Sequence, residues 1–164
     1  MDKQDCIIAL KEEIGNPDLF VGREKELKYL LNWAEKTKME LSQSTAIVSR
    51  RKKGKTALIQ RLYNILYTKN DPQIVPFYFK VEEGDMTQLT FSNIFYRSLL
   101  GQYFAFIYRN LEYITNVPEY EELKKLAKDD NIIFKDIKKM ETYIKENDPG
   151  SAWKHARQAG HRIS

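Results

Sequence analysis

Thr45 to Val48 is short, apolar and β-branched, whereas Ala57, Leu58, Leu62, Ile65 and Leu66 recur at helical spacing just beyond it. The pattern predicts a strand over Thr45–Val48, a loop, and a helix from Lys55 to about Tyr67 that Asn70-Asp71-Pro72 ends. Upstream, Leu27, Leu30, Leu31 and Ala34 share one face of a helix over Glu24 to Lys38. Nearer the N-terminus, Ile7, Ala9, Leu10 and Ile14 predict a short helix over residues 3–14, stopped by Gly15-Asn16-Pro17. Ile74 to Val81 is β-rich, and Pro76 sets the start of a second strand near Phe77. Strand, helix, strand in that order predicts a parallel pair joined by a right-handed crossover. The expected fold class is therefore α/β, a parallel sheet with flanking helices.

The C-terminal half reads as helix. Phe91, Ile94, Phe95, Leu99, Tyr103, Phe104, Phe106 and Ile107 fall close to one stripe between Met86 and Arg109. Stacked aromatics can hold single-stranded nucleic acid, but such platforms interleave basic residues, and here only Arg97 and Arg109 do so. The stripe is read as core. Leu111 to Ile144 is polar and helix-prone, with Leu123, Leu126, Ile132, Ile133, Ile137 and Met140 as scattered apolar positions. After Asn147-Asp148-Pro149-Gly150, Ser151 is the expected cap of a last helix carrying Trp153 and Ala156.

With 164 residues the chain can bury one sizeable core. The domains expected are a lead-in over 1–19 and one partial domain over 20–164. A lone Cys6 makes no internal disulfide, and the short apolar run around it lacks the flanks of a secretion signal. Arg97, Asn93 and Gln102 interrupt the longest apolar stretch, so no membrane span is expected and the compartment expected is cytoplasmic. The net charge is +4, and the excess is local: Arg50, Arg51, Lys52 and Lys53 run together with Lys55 just beyond. Elsewhere acids and bases interleave as on solvated helix faces.

That basic run lies where the predicted strand gives way to the predicted helix. Gly54 lets the backbone turn its N–H groups inward around phosphate oxygens, and the helix that follows presents a positive dipole end. Lys55 would reach the β- and γ-phosphates as a point charge, and the Thr56 hydroxyl would supply one ligand to Mg²⁺. Ser49 stands where the pattern G-x-x-x-x-G-K-[ST] has glycine. The plainer reading is a basic surface loop capping a helix. A second feature, Phe20-Val21-Gly22-Arg23-Glu24-Lys25-Glu26-Leu27, opens the preceding helix and argues against it.

Together, FVGREKEL and TAIVSRRKKGKTALIQRLYN resemble the N-terminal half of an AAA+-type P-loop ATPase, and more narrowly the STAND-like prokaryotic ATPases. The resemblance covers about Pro17 to Val81. It implies a P-loop NTPase-like sheet, with Phe20, Val21 and Gly22 against the adenine. It also implies a nucleotide site formed by Ser49, Arg50, Arg51, Lys52, Lys53, Gly54, Lys55, Thr56 and Ala57, holding ATP and Mg²⁺, with Thr56 on the metal.

A hydrolysing enzyme of this type also needs an acidic strand that holds the metal. The nearest candidates, Phe77 to Glu82-Glu83 and Ile132 to Asp136, are both flawed, the first by Lys80 inside the run and the second by its length. In the family that strand follows a segment resembling Trp153 to Ser164, so the chain reads as a fragment that binds ATP without turning it over alone. His155 and His161, six apart with no Cys or paired acids nearby, read as surface or tail residues. The expected partner is a nucleotide, with a protein partner or a second copy left open. The rival reading is a basic nucleic-acid- or partner-binding module in which Arg50 to Lys55 contact a phosphate backbone.

Overall fold

Every regular element of this computed structural model is an α-helix among the described residues, which are 6–13, 22–39, 41, 44–48, 50, 54–81 and 84–163. The chain forms two compact units, Met1–Tyr78 and Phe79–Ser164.

In the first unit, α1 (Glu24–Thr37) and α2 (Lys55–Lys69) bury Leu30 and Ala34 against Leu58, Leu62, Leu66 and Ile74. The helical spacing of these residues in sequence is what brings them onto one seam. α2 stops where Asn70 turns left-handed at φ 52° and its N–H bonds back to the Tyr67 carbonyl. At this end Lys38 pairs with Glu35 at 2.6 Å and with Asp71, and Lys69 reaches Glu35 at 3.2 Å.

The helix expected over residues 3–14 does not form over the described part, 6–13, which is an irregular strap tied to α2. Thr68 Oγ1 accepts the Ile7 N–H at 2.9 Å, Asn64 Oδ1 accepts the Leu10 N–H at 2.7 Å, and Gln60 Oε1 accepts the Glu13 N–H at 2.8 Å. Asn64 Nδ2 returns a bond to the Leu10 carbonyl at 2.9 Å. These side chains compete directly with the main-chain bonds a helix would need.

The second unit is a helical bundle. α3 (Gln88–Tyr108) is capped by Thr87, whose side chain accepts from the Thr90 N–H at 3.2 Å. α4 (Glu112–Thr115) and α5 (Tyr120–Leu126) lead to α6 (Asn131–Lys145), which starts where Asp130 accepts the N–H groups of Ile132 and Ile133 at 2.9 Å. α7 (Pro149–Arg157) begins on Asp148, which accepts from the Ser151 N–H at 3.0 Å, so Asp148 and not Ser151 is the cap. α8 (Ala159–Ile163) closes the unit.

Tyr96, Leu100 and Phe104 of α3, Leu123 of α5, and Ile133, Ile137 and Met140 of α6 form its core with Ala152, Ala156 and Ala159. The three alanines are fully buried. Such small side chains let helices approach closely. Gly101 of α3 does the same on another face, where a Cβ would lie 2.8 Å from both the Pro118 ring and the Tyr113 carbonyl oxygen.

The expected α/β fold is overturned: Thr45–Val48 and Phe77–Val81 form no strands, and no sheet exists among the described residues. The P-loop NTPase and AAA+ assignments, which require that parallel sheet, fall with it. Burial supplies the reason. A parallel pair is stable only when both faces are covered and further strands flank it, yet Val48 is 91% exposed and Val81 68% exposed. The second run is also divided between two cores. Ile74 packs with α1 and α2, whereas the Phe79 ring meets Phe91 at 5.6 Å and Phe95 at 5.2 Å on α3. β-propensity reports fit to a half-buried surface, and here helices provide that surface.

Candidate functional site

Gly54 holds φ 70° and ψ 24° at the N-cap of α2, a left-handed conformation that glycine adopts without the Cβ penalty. A 15-residue helix follows it directly. Among the described residues no side chain caps this end, and no acidic residue lies in the first turn. The first-turn N–H groups project from the helix's positive end. Lys55 Nζ folds back to the Arg50 carbonyl at 3.2 Å, so the lysine bridges the loop it follows. Ala57 and Leu58 are buried, Leu58 completely, and Leu58 N–H donates to the Gly54 carbonyl at 3.0 Å. The turn is therefore anchored from below while Lys55 and Thr56 stay half-exposed.

One helical turn further on, Leu58 stands in the wall of a groove of about 450 Å³ lined by the start of α1 and by Thr45–Val48. Arg23, Tyr29 and Leu30 line the α1 side. Ligand clefts run from about 300 to 1,000 Å³, a range that includes this volume. Gly22 precedes α1 at φ 80° and donates its N–H to Glu24 Oε1 at 3.1 Å. Bonds from its own backbone N–H and from that of Gly22 hold the Glu24 carboxyl below the usual range. Arg23 faces Glu26 at 3.8 Å.

Of the residues expected to hold nucleotide, Gly22, Arg50, Gly54, Lys55, Thr56 and Ala57 are described. Phe20, Val21, Ser49, Arg51, Lys52 and Lys53 lie outside the described residues, as do Glu82 and Glu83. The structure brings Arg50, Gly54 and Lys55 together through the lysine–carbonyl bond. Among the described residues no three His, Cys, Asp or Glu side chains converge as a metal site. Among the described residues of this turn, the Thr56 hydroxyl is an oxygen donor of the kind that suits a metal keeping several waters.

A second polar cluster escaped the sequence reading. Asp136, on α6, accepts from the Tyr96 hydroxyl at 2.7 Å and from Arg162 Nε at 2.5 Å and Nη2 at 3.3 Å. His155 is buried rather than a tail residue, with Nε2 3.0 Å from the Asp136 carbonyl and 3.3 Å from Oδ1. Arg162 also donates to the His155 carbonyl at 2.7 Å. Burial pushes the Asp136 carboxyl up, but the bonds from His155, Arg162 and Tyr96 outweigh it and hold the group well below the usual range. Both oxygens are occupied, so Asp136 is no metal carboxylate. The network ties α3, α6, α7 and α8 together. One signal could have found it: Asp136 stands on the apolar stripe of Ile133, Ile137 and Met140, where a carboxylate needs a partner.

No described helix is long and apolar enough to cross a membrane. Comparison with protein-family models, with curated proteins and with solved structures gave no match.

Proposed function

We propose that the chain binds a nucleoside triphosphate at the start of α2, with the phosphates over Gly54, Lys55 and Thr56 and the base and sugar in the groove along α1. The observation that carries this reading is the left-handed Gly54 opening directly into Lys55-Thr56, one helical turn before Leu58, which stands in the wall of a groove of about 450 Å³. A helix dipole, first-turn N–H groups and a lysine all belong to this end of α2, and each favours an anion. ATP arriving with Mg²⁺ fits the site, the metal being held by phosphate oxygens, water and the Thr56 hydroxyl. The scaffold is helical, so this is a local anion turn without a surrounding sheet.

The test is thermal unfolding with and without Mg-ATP. At ligand about a hundredfold above Kd, mass action adds about 2.7 kcal/mol, a melting shift of roughly 5–10 °C for a chain of this size. Lys55→Ala should remove most of it. An unchanged shift in that variant would move the site elsewhere. Absence of any shift, together with duplex DNA binding that weakens steeply with salt, would favour the phosphate-backbone reading of Arg50 to Lys55.

A further inference from the structure

In sequence, the lysines of α5 and α6 alternate with Glu121, Glu122, Asp129 and Asp130, and the fold sorts them. Asp130 is spent on the start of α6, where it accepts the Ile132 and Ile133 N–H groups at 2.9 Å. Lys124, Lys125, Lys128 and Lys138 line one groove of about 420 Å³ together with Phe134 and one described carboxylate, Glu121. Its walls are fixed, because Leu123 of α5 and Ile133 and Ile137 of α6 are buried in the core of the second unit. The Lys128 N–H returns to the Lys125 carbonyl at 3.4 Å. Glu121 is already engaged, since Lys124 reaches it at 2.5 Å and Glu141 at 3.1 Å. Lys125 and Lys138 have no carboxylate partner among the described residues, and Lys128 meets the exposed Asp129 at 4.0 Å.

We infer that this groove is an anion site for a compact oligophosphate, independent of the reading of α2. Like charges gathered in one groove repel one another, and an anion among them relieves that cost. Helix ends explain part of the pattern: Lys124 and Lys125 occupy the last turn of α5, where cations meet the helix dipole. Lys138 stands in the middle of α6, where no dipole calls for it. Its Nζ lies 4.7 Å from the centroid of the Phe134 ring, and that ring packs against the core, so the ring positions a cation at the groove. The donors set the ligand class. An ammonium is a compact point charge that suits phosphate oxygens, whereas a carboxylate is gripped best by the planar fork of arginine, and no described arginine lines the groove. An oligophosphate brings several charges to several lysines, which a single phosphate does not.

The test follows amide chemical shifts of the full chain during titration with metal-free tripolyphosphate. Saturable shifts at Lys125, Phe134 and Lys138 are expected, and inorganic phosphate should bind at least about tenfold more weakly because it meets fewer lysines. Lys125→Ala with Lys138→Ala should weaken the binding read at Phe134 by at least about tenfold. Both lysines are exposed, so the fold is not at stake. Lys135→Ala with Lys139→Ala removes the same charge outside the groove lining and should change the affinity by less than about twofold. Equal weakening by the two double variants overturns the proposal, since net charge alone would then attract the anion. Shifts that never saturate overturn it too. Shifts confined to Lys55 and Thr56 overturn this site and leave the α2 reading standing. Oligo-dT bound at the same three residues at least about tenfold tighter than tripolyphosphate would overturn the compact ligand in favour of a nucleic-acid strand.

Discussion

The two units handle their buried polar groups in opposite ways. In Phe79–Ser164, Asp136, Tyr96, His155 and Arg162 satisfy one another inside a closed helical core. In Met1–Tyr78, buried Asn64 and Gln60 hold a strap that carries the buried Glu12, and a groove lies between the start of α1 and Thr45–Val48 with Leu58 of α2 in its wall. The first arrangement fixes a structure. The second leaves a surface with chemistry on it, and the apolar residues around it, Val48 above all, stay exposed. A polar group turned wholly inward stabilises one packing, whereas one placed at a helix start or along an open face remains able to meet a ligand.

The largest expected effect tests the closed side. Asp136→Ala leaves Arg162 and the Tyr96 hydroxyl without their acceptor, and breaking a buried pair of this kind costs about 3–5 kcal/mol. Urea unfolding followed by Trp153 fluorescence should show the midpoint fall accordingly. A change below about 1 kcal/mol would mean that the network does not hold the second unit together. The same carboxylate predicts a pH dependence. Its folded pKa is depressed, so the unfolded chain takes up the proton first. The stability it contributes is complete above the unfolded value of about 4 and is lost as pH falls below it toward the folded value. Asp136→Asn should flatten the Trp153 stability profile between about pH 4 and pH 2.

Two glycines sharpen the contrast at smaller magnitude. Gly101→Ala would press a Cβ to 2.8 Å from the Pro118 ring and the Tyr113 carbonyl oxygen, and overpacking of this kind costs about 1–3 kcal/mol. Around Gly54 a Cβ meets no described atom within 4 Å, so Gly54→Ala should cost the left-handed strain, about 1 kcal/mol. Its effect should fall on anion binding more than on folding, which paired urea and ATP titrations would separate. If both variants lost stability equally, space would not be what distinguishes the two positions.

Much of the helical framework was legible because helices are local. The spacing of Leu27, Leu30 and Ala34 gave α1, that of Leu58, Leu62 and Leu66 gave α2, and Asn70 ended α2 where expected. The sheet was misread because pairing is non-local: Thr45–Val48 and Phe77–Val81 have strand composition, but nothing in a composition says that Phe79 belongs with Phe91 and Phe95. The strap failed for a similar reason. Ile7, Leu10 and Ile14 fit a helical period, and the partners of the Ile7 and Leu10 N–H groups lie on α2, more than fifty residues away. At the head of α2, the helix start after Gly54 was legible, since a glycine before a helix start is a local signal. The groove was not, because its wall comes from α1. His155 looked like a tail residue because its partner, Asp136, sits on another helix.

The most direct test of the central claim is an amide chemical-shift titration of the chain with Mg-ATP. Saturable shifts at Lys55, Thr56, Ala57 and the groove residues Tyr29 and Ile47, lost in Lys55→Ala, are the predicted result. Shifts that do not saturate, or that concentrate on α3 to α8 and persist in Lys55→Ala, would contradict it.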